Sequence, residues 1–373
     1  STTHNTMGRY SQLLELLPQQ WQLLLFILPL ISLLFLHRRR NRPGGLRLPP
    51  GPWKLPVVGN LHQIGPLPHR SLSALARRHG PVMMLRLGTV PTVVLSSPEA
   101  AREALKTHDA DCCSRPPAAG PRLLSYGYKD VAFSPYSDYV RDMRKLFIVE
   151  LLSRRRVQAA CYARDTQNTF VGGNHTSSVT INWAMAELIR QPRILGKVQD
   201  EIRAIGGKTE LLQHDDMPKL KYLKMVVKET LRLHPPATLL VPRETTGRIQ
   251  VAGYDIPAKT KIIVNAWAIG RDPGTWNDDS EEFRPERFQD KDVDFNGAHF
   301  ELLPFGSGRR ICPGLAMGVA NVEFILANML YCFNWELPDG VSCEDVNMEE
   351  AGALTFRKKT PLMLVPTRYS MCP

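Results

Sequence analysis

Phe305-Gly306-Ser307-Gly308-Arg309-Arg310-Ile311-Cys312-Pro313-Gly314 packs three glycines, two arginines and one cysteine into ten residues, directly ahead of a long apolar run. A cysteine sulfur that serves as a metal ligand must be ionised, shielded from water and faced by N–H groups. Glycines let backbone amides turn inward around such a sulfur, and a helix predicted over 313–333 aims its positive dipole end at it. Gly308 and Gly314 are expected to let a flat ligand approach the backbone, and Arg310 offers a cation to an anionic group on it. The Gly-Lys-Ser/Thr ending of a phosphate cradle is missing. The plain alternative is a structural turn with an incidental cysteine.

Working outward, helices are predicted over 71–79, 97–107, 137–147, 169–190, 192–205 and 217–233. Two β-rich runs, 82–87 and 90–95, flank Gly88-Thr89 and read as a hairpin. Further short strands are expected at 239–241, 249–251, 261–264, 354–356 and 362–365, and a long Pro- and Gly-rich loop at 114–132. The class is mainly α with small β-sheets near each end. Within it, Glu229-Thr230-Leu231-Arg232 places acid and base three apart on one helix face, by itself most often a solvated surface bridge.

The 373 residues are 43% hydrophobic and 22% charged, a globular composition. Seven cysteines, at 112, 113, 161, 312, 332, 343 and 372, include no C-x-x-C. An odd number at irregular spacing speaks against a disulfide framework or a structural zinc, and fits a reducing compartment. A net charge of +11 favours an anionic membrane surface or an acidic protein partner. No zinc-finger spacing or stacking motif accompanies it, so no nucleic-acid partner is expected. Residues 21–36, WQLLLFILPLISLLFL, are followed by His37-Arg38-Arg39-Arg40-Asn41-Arg42. That pattern predicts an uncleaved single-pass anchor with the charged flank and the rest of the chain on the cytosolic side. A Pro-rich stretch at 43–68 is expected to be a stiff hinge between anchor and a domain at 69–373.

The decapeptide resembles the haem-binding loop of the cytochrome P450 family, F-x-x-G-x-R-x-C-x-G, at every defined position. Glu229-Thr230-Leu231-Arg232 and Pro285-Glu286-Arg287-Phe288 resemble two further family motifs, in family order. The resemblance covers nearly the whole chain and is to plant A-type members of the endoplasmic reticulum. It implies the cytochrome P450 fold and a haem-thiolate monooxygenase acting on a small aromatic or oxime-type specialised metabolite. The implied cofactor is haem b (iron protoporphyrin IX), with Cys312 as axial ligand to the iron, Phe305, Gly308 and Gly314 shaping the loop, and Arg310, Arg243 and Arg144 meeting propionates. Glu229, Arg232 and Arg287 are implied to lock the core. Thr176, in Gly172-Gly173-Asn174-His175-Thr176-Ser177, fits the alcohol that serves bound dioxygen, with Gly172 and Gly173 leaving it room. His175 stands where the family has an acid, and reads either as a proton relay or as a plain polar helix residue. Substrate contacts are implied at Ala237, Thr238, Leu239, Leu240, Val241 and Leu354, and along 114–132. Electrons are implied to come from NADPH through NADPH-cytochrome P450 reductase, docking at Arg141, Lys145 and Arg309.

Two departures stand out. Only 21 residues separate Phe147 from Thr169, where the family places several distal helices; the junction falls near Arg164-Asp165. Val140 stands where the family has a propionate-contacting tryptophan. The fold is therefore expected to lack part of its distal helices. Two readings follow: a shortened monooxygenase, or a membrane-anchored homologue that binds haem weakly or not at all and has no turnover.

Overall fold

The computed structural model describes residues 45–125, 127–151, 167–207, 209–352 and 355–369. The expected anchor at 21–36, the junction at Arg164-Asp165 and Leu354 lie outside them. Helix α1 (Pro68–His79) begins on a proline, whose missing N–H is no loss in a first turn, and ends at Gly80 (φ +98°). Strands β1 (Val82–Leu87) and β2 (Val90–Leu95) form the expected hairpin, pairing from Val82↔Leu95 to Leu87↔Val90. Helix α2 (Pro98–Arg102) is capped by Ser97, whose Oγ accepts from Ala100 N at 3.3 Å. It continues through a π-type turn (Glu103–Thr107) to a short α3 (Asp109–Cys112).

The stretch 114–132 is not one long loop, because α4 (Ala119–Leu124) interrupts it. The basic helix α5 (Asp138–Leu146) starts on the Ser137 cap. Helices α6 (Gln167–Arg190) and α7 (Pro192–Gly206) lie where the pattern puts them. Helix α8 (Lys221–Leu233) starts later than the expected 217, after a 3-10 turn (His214–Lys219) that contains Pro218. A proline there cannot donate the amide an α-helical turn needs.

Strands β3 (Arg243–Glu244), β4 (Ile249–Val251), β5 (Tyr254–Ile256) and β6 (Lys261–Val264) follow. The main sheet runs β1-β2-β6-β3, with β2 and β6 parallel and the other pairs antiparallel; β4 pairs β5. The strand expected at 239–241 does not form. Leu240 is left-handed (φ +51°) and its amide donates to Ala237 O at 3.1 Å, so the segment turns instead of pairing. After α9 (Ala266–Ile269) and α10 (Pro273–Trp276) come α11 (Leu315–Cys332), β7 (Phe333–Glu336), β8 (Glu350–Gly352), β9 (Phe356–Lys358) and β10 (Val365–Arg368). β7 pairs β10 and β8 pairs β9.

The larger core lies between α6, α7, α8 and α11, where Leu188, Val198, Ile202, Val226, Leu326 and Leu330 are fully buried. A second core sits against the sheet, around Val93, Leu95, Leu105 and Ile262. Among the described residues only α11 is long and apolar enough to cross a membrane, with a mean hydropathy of 1.5. Its Leu326, Ala327 and Leu330 are fully buried in the larger core, so it is a core helix. From Leu48 on, the Pro-rich stretch belongs to the same compact unit as the rest. Met84 N donates to Pro50 O (2.8 Å), and Arg86 N to Asn60 Oδ1 (2.8 Å), which fastens this segment to β1.

Candidate functional site

The loop before α11 is closed by Cys312 N donating to Phe305 O at 2.9 Å, and Gly318 N then donates to Gly314 O (2.7 Å) as the helix begins. The Gly314 amide hydrogen-bonds the Cys312 sulfur. Burial pushes the Cys312 thiol up, while that amide and the Arg144 guanidinium pull it back toward the thiolate. Gly308 serves packing rather than the approach of a flat ligand. It is left-handed (φ +67°), and a Cβ there would stand 2.4 Å from Leu105 O and 2.5 Å from Asp109 Oδ1. Asp109 in turn accepts from Arg309 N at 3.0 Å and from Arg243 Nη1 at 3.2 Å, which holds the loop on α3.

Cys312 opens onto a cavity of about 300 Å³. Its wall is largely apolar, with Val227, Leu231, Leu240, Phe305, Val319 and Val322. On one side stand four arginines, all buried: Arg115, Arg144, Arg243 and Arg310. Backbone carbonyls orient them. Arg115 donates to Ala132 O (2.9 Å), Val241 O (2.6 Å) and Pro242 O (2.9 Å). Arg310 donates to Cys113 O (2.8 Å) and Ser134 O (2.5 Å), Arg144 to Val131 O and Ile311 O, and Arg243 to Ser307 O. Burial lowers all four guanidinium pKa values, Arg310 to about 10; repulsion from neighbouring arginines adds to this at Arg115, Arg144 and Arg310, while Asp109 opposes it at Arg243. The buried Arg310 Nη1 has no hydrogen-bond partner. Four clustered cations in a dry wall call for carboxylates. Arg115 was not singled out by sequence reasoning, since an arginine in a Pro-rich loop ordinarily faces water.

Helix α6 also contributes to the lining, with Thr176, Ser177 and Thr180, and Thr180 Oγ1 donates to Thr176 O at 2.9 Å. His175 does not join them. It is exposed, and its Nδ1 lies 3.1 Å from Thr355 Oγ1. Gly173 does not open the cavity either: a Cβ there would meet Met317 Cε at 3.4 Å. Of the segment expected to touch substrate, Ala237, Leu240 and Val241 line the cavity. The turn at Leu240 sends the others away. Thr238 is buried elsewhere, its carbonyl accepting from Trp267 N, and Leu239 packs on the cluster of Leu72, Met83 and Val94.

Glu229 is fully buried and meets both arginines. Arg232 Nε and Nη2 donate to its two oxygens at 2.6 and 2.8 Å, and Arg287 Nε donates at 2.8 Å. Arg232 also ties Gly270 O, Ser280 O and Glu282 O to α8. Among the described residues no group of three or more His, Cys, Asp or Glu could hold a metal ion. The buried sulfur, the apolar walls and the four arginines fit the iron, the flat body and the two propionates of a porphyrin.

The sequence profile described as "Cytochrome P450" matches residues 49–164 and 162–365. The chain is 43% identical to the 4-hydroxyphenylacetaldehyde oxime monooxygenase of Sorghum bicolor, covering 94% of this chain and 96% of that one. The chain belongs to the cytochrome P450 family. With that it joins a family of haem-dependent monooxygenases. A 2-methylbutanal oxime monooxygenase of Manihot esculenta is 36% identical over 96% of this chain and 99% of its own. The fold of this P450 matches a zebra fish cytochrome P450 solved with abiraterone, with a TM-score of 0.70 and 20% identity, over 81% of this chain and 100% of that one. The alignment to the Sorghum relative runs over 512 positions although the chain has 373 residues, so a long interior stretch has no counterpart here. The profile match breaks at 162–164.

Proposed function

We propose that this P450 is a haem-thiolate monooxygenase of a small oxime-type specialised metabolite, with 4-hydroxyphenylacetaldehyde oxime as the first candidate. The observation that carries the reading is one apolar cavity shared by the Cys312 sulfur and four buried arginines. Two relatives with names that specify oximes, one aromatic and one aliphatic, support the substrate class.

When bound, haem supplies the activation of dioxygen. The protein's part is to hold, shield and deliver protons. Cys312 Sγ ligates the iron, and Arg115, Arg144, Arg243 and Arg310 hold the propionates. Val227, Leu231, Val319 and Val322 keep water from the buried face. The Thr176 and Ser177 hydroxyls hold and pass protons at the α6 side, while Ala237, Leu240 and Val241 form the wall that meets the substrate. Electrons come from NADPH through NADPH-cytochrome P450 reductase, docking on the basic surface that includes Arg141, Lys145 and Arg309. The apolar run at 21–36 anchors the chain in the endoplasmic reticulum membrane, with the catalytic part in the cytosol, and the shortened interior corresponds to distal helices lost near 164–165.

A carbon monoxide difference spectrum of the reduced chain tests this. A thiolate-type Soret band is expected, and Cys312→Ala is expected to abolish haem incorporation. No such band in the parent chain, or unchanged haem content in the variant, overturns the reading.

A further inference from the structure

His175 and Thr176 are consecutive on α6, so their side chains diverge by about 100°. Thr176 faces the cavity, and His175 faces Thr355, just ahead of β9, with Nδ1 to Oγ1 at 3.1 Å. The next residue carries the connection inward. Phe356 N donates to Pro236 O (3.0 Å), and Pro236 and Ala237 line the cavity. Phe356 O accepts from Trp183 Nε1 at 3.2 Å, on the same α6. The start of β9 is thus fastened to α6 at two points, one exposed at His175 and one buried at Trp183, and between them it braces the 236–237 wall.

We propose that His175 is a positioning residue: by holding Thr355 it steadies the start of β9 that braces the Pro236–Ala237 wall, and so sets the size of molecule the cavity admits, and it does not relay protons. This rests on the cavity being the haem and substrate site. Breaking the buried Trp183 bond disturbs the core, whereas breaking the exposed His175 bond frees only the start of β9. The geometry also makes a chemical distinction. An asparagine amide stands near the place of imidazole Nδ1, and a glutamine amide near that of Nε2, so Asn restores the bond to Thr355 and Gln does not.

The test is hydrogen exchange on the full chain, followed at the amides of 355–358. His175→Ala and Thr355→Val are each expected to speed exchange there about three- to tenfold, the worth of one hydrogen bond open to water. Amides of α6 around Trp183 should keep their protection. The double variant should exchange no faster than either single one, and His175→Asn should return to the parent rate while His175→Gln does not. Unchanged exchange in His175→Ala, additive effects, or equal rescue by Gln overturns the proposal. In chain that takes up haem, spectral titration with imidazole and 4-phenylimidazole reads the braced wall directly. His175→Ala is expected to weaken the chain's preference between the two probes; an unchanged preference also overturns the proposal. Failure to take up haem would strike the functional reading instead, and exchange would still decide the role of His175.

Discussion

Glu229 shows how one side chain can organise a neighbourhood. It is fully buried, and both of its oxygens are occupied by arginines that are themselves buried. Removing one partner of such a set leaves an uncompensated charge in the core. Glu229→Gln is therefore expected to destabilise the chain by about 3–5 kcal/mol, read from the midpoint of urea unfolding. The glycines of the loop before α11 give a sharper contrast. Gly308→Ala must fit a Cβ against a carbonyl and a carboxylate in a left-handed conformation, and is expected to lower stability by about 2 kcal/mol or more. Gly314→Ala meets only ordinary contact, 3.9 Å from the sulfur, and should change stability by less than about 1 kcal/mol. Thermal unfolding of the two variants in parallel decides it, and equal losses would refute the packing argument. At this scale Cys312, Glu229, Arg232 and Arg287 were legible because each sits in a motif of fixed spacing. Arg115 was not, because its partners, the carbonyls of Ala132, Val241 and Pro242, lie partly on a segment more than a hundred residues away.

The elements were legible where local chemistry decides them, as at the Gly88 hairpin, the proline-led helices and the long apolar helix after Cys312. They were not legible where a single backbone angle overrides composition, as at Leu240, whose left-handed turn converts a β-rich run into cavity wall. Short elements at the edge of the fold depend instead on ties across the chain. Strand β8 is bound to α1 through Glu350, which accepts from His69 Nε2 at 3.0 Å and from Arg70 Nε at 2.8 Å. Burial alone would push the Glu350 carboxyl up, but these two donors outweigh it and hold it at about 2. Its folded pKa is depressed, so the stability it contributes is present above the ordinary glutamate range and is lost as pH falls from about 4.5 toward 2. The β8–β9 hairpin is expected to lose exchange protection across that window, and Glu350→Gln should remove the dependence. A parent hairpin that stays equally protected at pH 2.5 and pH 5 would count against the tie.

At the scale of the whole molecule the decisive feature is what lies between α5 and α6. The family's chemistry needs a dry pocket, and the cavity here is lined from α5, α6, α8, β6, α11, the loop before α11, the 236–243 segment, Arg115 and Ala132. The Sorghum relative carries a long interior stretch with no counterpart in this chain, and the profile match breaks at 162–164. If that stretch supplies the missing cover, haem bound here keeps more of its apolar surface in water than haem in the relative. Covering about 50 Å² of apolar surface contributes roughly 1.3 kcal/mol, which slows release about tenfold when the gain falls on dissociation. Grafting the relative's interior stretch between Arg164 and Asp165 is accordingly expected to slow haem transfer to apomyoglobin by about tenfold or more, with the parent chain as reference. A grafted chain that folds yet releases haem at the parent's rate would mean that the cavity walls already present retain the cofactor as well as the full-length scaffold does.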